Sequence, residues 1–163
     1  MVEVDIQTVS ILIASASVVA GVIYYTFQIR HQTKTRQTDM VMRLYATFGS
    51  TEFQRAYQNV ASSEYEDYAD YMKGYAKDVE VRAGMWTVTV FFEGIGVLAR
   101  RRLIEMELVE DLFGYPVLRT WKKVASVVKG LRDVEKAPGI CEWFEYLYNE
   151  IKNREQKLQQ SKG

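Results

Sequence analysis

From Ile6 to Ile29 the chain runs for 24 residues without a charged side chain, beginning IQTVSILIASASVVAGVIYY. Coiled as a helix, such a run is about 36 Å long, against a bilayer hydrocarbon core of about 30 Å. A helix that apolar needs apolar surroundings, so a transmembrane helix is expected over residues 1–29, with a few residues leading into it. Two other readings compete with a span. A cleaved signal peptide opens with basic residues, whereas Glu3 and Asp5 precede this run and no Lys or Arg does. A core helix of a soluble domain rarely extends so far without a charge.

The flanks give an orientation. Arg30, Lys34, Arg36 and Arg43 follow the run, with Asp39 the only acid among them. By the positive-inside rule the C-terminal side stays in the cytoplasm, where these four side chains meet lipid headgroups, and the short acidic N-terminus lies outside. Tyr24 and Tyr25 stand near the cytoplasmic end, at headgroup level. The lone cysteine, Cys141, cannot form an internal disulfide and fits a reducing compartment.

The run also has a distinct face. Gln7, Ser10, Ala14, Ser17, Gly21, Tyr24, Gln28 and His31 recur at alternating intervals of three and four, while Val9, Leu12, Val19, Ile23 and Phe27 fall opposite. Small side chains let helices approach closely in lipid, and hydroxyls or amides bond across the contact. Ser10, Ala14, Ser17, Gly21 and Gln28 are therefore expected to pack against another transmembrane helix, from a second copy or from a larger complex. A stripe arising from composition alone and a water-facing pore wall are the alternatives.

Beyond Arg30 the apolar positions keep helical spacing and point to an all-α cytoplasmic bundle. A basic juxtamembrane helix is expected over residues 30–50, a bundle over 51–153 and a frayed polar tail over 154–163. Val41, Leu44, Tyr45 and Phe48 form one stripe, stopped by Gly49. Thr51 and Gln54 fit a capping box that opens the next helix. Ile104 to Phe113 reads as a short helix stopped by Gly114; Pro116 and Pro138 read as openers of the two helices after it. In SSEYEDYADYMKGY the tyrosines Tyr65, Tyr68 and Tyr71 recur every third residue, as on a solvated helix resting on the bundle or a contact surface for a basic partner.

WTVTVFFEGIGVLA could be read as a strand entering a G-x-G-x-x-A dinucleotide turn. That site needs a βαβ unit, and the surroundings here are helical. The helical reading aligns Val79, Ala83, Trp86, Val90, Glu93 and Val97 on one face. Gly94 and Gly96 each cost a helix about 1 kcal/mol, which suggests that another helix packs close to them. Glu93 lies in this apolar run, where an unpaired carboxylate is costly. Either a cation from another helix, Arg132 or Arg119, forms a buried ion pair with it, or it holds a proton. Arg100, Arg101 and Arg102 complement the end of that helix and are placed to pair with Glu105 or Glu107.

The remaining inventory excludes much chemistry. Lys+Arg and Asp+Glu both number 21, so there is no basic excess to hold nucleic acid. One histidine, His31, and one cysteine cannot build a standard zinc site. No phosphate loop, H-E-x-x-H or C-x-x-C motif occurs. No catalytic residue, cofactor, metal or small-molecule substrate is expected.

Three patches, FFEGIGVLARRRLIEMELVEDLFG, then VLRTWKKV with LRD, then WFEYLY, resemble a family of small prokaryotic proteins catalogued only as a domain of unknown function. The resemblance implies a leading hydrophobic helix followed by a helical cytoplasmic part, and brings no catalytic residues. The expected function is that of a non-enzymatic, membrane-anchored interaction or accessory subunit. A self-assembling pore, similar in layout to membrane effectors of prokaryotic defence, is the alternative.

Overall fold

The computed structural model describes residues 5–160; Glu3 and the last three residues of the polar tail lie outside them. Six α-helices follow in order: α1 (Ile6–Phe48), α2 (Thr51–Ser62), α3 (Tyr68–Lys73), α4 (Val79–Arg100), α5 (Met106–Glu135) and α6 (Glu142–Gln160). A short 3₁₀ turn, Tyr75–Lys77, links α3 to α4. No strand occurs among the described residues, so the fold is all-α. The chain divides into two units after Asp39.

The first unit holds the apolar part of α1 and the charged residues that follow it, up to Asp39. Its large apolar side chains are all open: Ile11, Leu12, Ile13 and Val18 are each 63–67% exposed. The helix is long and apolar enough to cross a membrane.

The second unit, from Met40 onward, has a core in which Phe92, Phe113 and Phe144 are fully buried. Their rings meet others at angles that suit aromatic quadrupoles. Phe92 stacks on Phe144 at 5.0 Å, and Trp121 meets Phe144 edge-on at 4.9 Å. Phe48, at the end of α1, packs among Phe53, Phe91 and Phe113. Along α6, Phe144, Leu147 and Ile151 are buried at helical spacing.

Five local expectations change. First, α4 turns its other side inward. Met85, Val88, Phe92, Ile95 and Ala99 are buried, while Val79, Trp86 and Val90 are 68%, 46% and 61% exposed. The buried set lies two positions on from the expected one, which on a helix is the opposite side. Because α4 is apolar all round, its periodicity could not choose between them. By length and composition α4 too could cross a membrane, yet it packs against α2 and α6.

Second, Gly114 and Pro116 do not separate two helices; both lie inside α5. Pro116 leaves the Leu112 carbonyl without its N–H, a cost of about 3 kcal/mol. The helix continues because Val109, Phe113, Val117, Trp121 and Val124 form one buried stripe across the break, and each such side chain contributes about 1.5–3 kcal/mol.

Third, Pro138 opens a turn rather than a helix. Lys136 and Cys141 adopt left-handed backbone at φ 51° and 55°, and α6 starts only at Glu142.

Fourth, α2 is capped one residue early, by Ser50, whose hydroxyl accepts the Phe53 N–H at 3.2 Å. Gln54 instead donates its amide to the Phe48 carbonyl at 2.7 Å.

Fifth, the tyrosine-rich segment is not one helix. Asp67 caps a six-residue α3, leaving Tyr65 in the preceding loop, edge-on to the buried Tyr71 at 5.5 Å. Beyond these, α6 persists through the polar residues to Gln160, tied to α5 by an ion pair between Arg154 and Glu110.

Candidate functional site

Ser10, Ala14, Ser17, Gly21 and Gln28 all lie exposed on α1, at the spacing that makes one stripe. The hydroxyl hydrogens on that stripe are already used. Ser10 donates to the Ile6 carbonyl at 2.9 Å and Ser17 to the Ile13 carbonyl at 2.8 Å. What the stripe can offer a neighbour is thus oxygen lone pairs, the Gln28 amide and close approach at Gly21, around which nothing lies within 4 Å. Arg30, Lys34 and Arg36 follow, exposed, on the first unit; Arg43 belongs to the second and is also exposed.

In the second unit Glu93 and Arg132 do not pair with each other. The Glu93 carboxylate accepts the Phe144 N–H at 2.7 Å. Arg132 reaches Glu145 at 2.7 Å, and its Nε donates to the Ile140 carbonyl at 2.8 Å. Arg119, the other cation considered, lies beside Tyr57. A helix N-terminus explains the difference: its first N–H groups lack acceptors and it carries partial positive charge, so a carboxylate is at home there without an arginine.

Gly96 completes the seat one turn along α4. A Cβ at Gly96 would stand 2.1 Å from the Trp143 carbonyl oxygen, so only glycine admits the start of α6 this close. Gly94 has nothing within 4 Å, and the close packing expected of both glycines falls on Gly96 alone. Glu93 and Arg132 therefore hold residues 140–145 from two sides.

Glu93→Gln keeps an acceptor for the Phe144 N–H and is expected to cost about 0.3–1 kcal/mol through the lost charge. Glu93→Ala leaves that N–H unpaired, at about 1–3 kcal/mol. Urea unfolding of the full chain followed by tryptophan fluorescence checks the order. Coincident curves for both variants and the wild type would mean that the seat contributes nothing.

Of the three arginines that end α4, Arg100 stands in its last turn and Arg101 at its C-cap, as expected, but the expected ion pairs do not form among the described residues. Arg100 lies over the Tyr146 ring at 6.0 Å. Arg102 takes left-handed backbone at φ 56° and closes α4, its N–H bonded to the Ala99 carbonyl. Neither they nor Arg101 pairs with Glu105 or Glu107 among the described residues.

A feature that sequence reading missed lies between α3, α4 and α5: a cavity of about 190 Å³. Tyr68, Tyr71 and Met72 form one wall, Met85 and Trp86 another, and Val127, Val128 and Leu131 the third. Thr89 also lines it, but its hydroxyl donates to the Met85 carbonyl at 2.9 Å, so it presents little polarity. The signals were Gly130 and the three-residue tyrosine spacing. A Cβ at Gly130 would stand 2.2 Å from the Tyr68 Cβ, so this glycine lets α3 close against α5.

Cys141 also lines the cavity, and burial first, then the Glu93 charge, pushes its thiol up to about 11, against an opposing pull from Arg132. The fold favours the neutral thiol. Its contribution is complete below the unfolded value near 9 and is lost as pH rises towards 11. Iodoacetamide at about pH 8 is expected to spare Cys141 in the native chain and modify it in urea. Rapid modification of the native chain would contradict this placement.

The family described as "Domain of unknown function (DUF4760)" matches residues 11–151. The chain belongs to this family. The DUF4760 match begins within the apolar run of α1 and ends at Ile151, the last buried residue of α6. It thus includes Ala14, Ser17, Gly21 and Gln28, the Glu93–Gly96 seat and every residue of the cavity. No curated protein and no solved structure matches the chain. A DUF4760 assignment names no activity and carries no residue roles.

Proposed function

We propose that this protein is a non-enzymatic, membrane-anchored interaction subunit. In this reading α1 crosses a bilayer with its N-terminus outside and associates there with another transmembrane helix, while the second unit works in the cytoplasm. The observation that carries it is the first unit, whose candidate span is 0% buried. Each large apolar side chain left in water forgoes about 1.5–3 kcal/mol, so a bilayer is the environment that suits Ile11, Leu12, Ile13 and Val18. Arg30, Lys34 and Arg36 then lie towards the anionic headgroups on the cytoplasmic side.

Purification from native membranes in a mild detergent tests this reading. A stoichiometric second membrane protein, or a homo-oligomer that leaves liposomes impermeable to ions, is the expected result. Ion conductance by the purified protein in liposomes would replace the subunit reading with the pore.

A further inference from the structure

We infer that the cavity between α3, α4 and α5 binds an amphiphilic carboxylate whose apolar tail has about six to ten carbons. The size argues for it. An engineered apolar cavity of about 150 Å³ in another protein stays dry and takes benzene. At about 190 Å³ this one is somewhat larger, so it suits a medium-length tail and not a full lipid chain.

Packed interiors leave few voids of this kind, since a void forfeits the contacts its lining would otherwise make. An apolar tail restores them. The walls select the tail, because Tyr71, Ala76, Met85, Val127 and Val128 are buried and the Thr89 hydroxyl is turned to its own helix.

The mouth selects the head. Met72 and Trp86 are 45% and 46% exposed, so the opening is reachable from solvent. Arg82 stands beside them, exposed, and has no carboxylate partner among the described residues. The only hydrogen bond of its guanidinium among the described residues is a long one, from Nη1 to the Ala76 carbonyl at 3.5 Å. A guanidinium with free donors at the rim of an apolar cavity fits a carboxylate in a two-point contact. Neither Cys141 nor Thr89 offers a charge that would draw the head inward.

The test uses the full chain in lipid nanodiscs, since detergent would itself compete for the cavity. Octanoate is titrated by calorimetry, with empty nanodiscs subtracted. Saturable binding at one site per chain is expected. Arg82→Gln, at an exposed position that leaves the core intact, should weaken octanoate about tenfold and leave 1-octanol unchanged, because one charge-assisted contact is lost. Ala76→Leu, which fills the cavity, should weaken both ligands. Affinity should rise from butanoate to about decanoate and fall at hexadecanoate; a tail supplied by bilayer lipid would instead favour hexadecanoate. Non-saturable uptake, binding indifferent to Arg82, or strongest binding of hexadecanoate would overturn the assignment.

Discussion

Gly96→Ala is expected to destabilise the second unit strongly, by on the order of 3 kcal/mol. The added methyl would stand 2.1 Å from the Trp143 carbonyl oxygen and 2.5 Å from its carbon. These are backbone atoms, so relief requires moving the start of α6 away from α4. That movement also stretches the 2.7 Å bond from Phe144 N–H to Glu93 and loosens the stack of Phe92 on Phe144. Gly94→Ala provides the internal comparison, two residues away on the same helix. With nothing within 4 Å, its methyl meets no obstacle, and the better helix former should stabilise the fold by up to about 1 kcal/mol. Opposite shifts in the urea midpoint are the expected outcome. Equal destabilisation by both changes would mean that α6 does not seat on Gly96.

Replacing Ser17 and Gly21 together with leucine is expected to weaken association through α1 while leaving the helix inserted. Leucine is at least as apolar as what it replaces, so insertion has no reason to suffer. Close approach at Gly21 is lost, and with it packing and cross-helix bonds of about 0.6–2 kcal/mol each. Leucines at Val19 and Ile23, on the opposite side, should change little. Chemical cross-linking in membranes reads the difference. If both pairs reduce cross-linking alike, the stripe has no part in association.

The sequence revealed the all-α class because helical spacing persists through Val41–Phe48 and again through Phe144–Ile151. It was less informative wherever a helix is apolar on both sides. On α4 the aligned set of Val79, Trp86 and Val90 proved to be the outward one, since periodicity marks a face without saying which way it points. Gly114 and Pro116 carry strong local stop signals, and the burial of Phe113 and Val117 overrides them. Glu93 was recognisable as an unusual carboxylate, but its partner is a backbone N–H, which every residue except proline supplies and no pattern distinguishes. The cavity was hidden for a related reason: its walls come from separate stretches around Tyr71, Met85, Val128 and Cys141, brought together only by tertiary packing.

Anchoring by α1 underlies the functional proposal, and protease protection of carbonate-washed membranes tests it most directly. The full-length protein should stay in the pellet. Protease given access to the cytoplasmic face should digest the chain beyond Arg43 and leave a protected fragment containing Ile6–Ile29. Release of the intact protein by carbonate, or mature protein that lacks the residues before Arg30, would contradict the account.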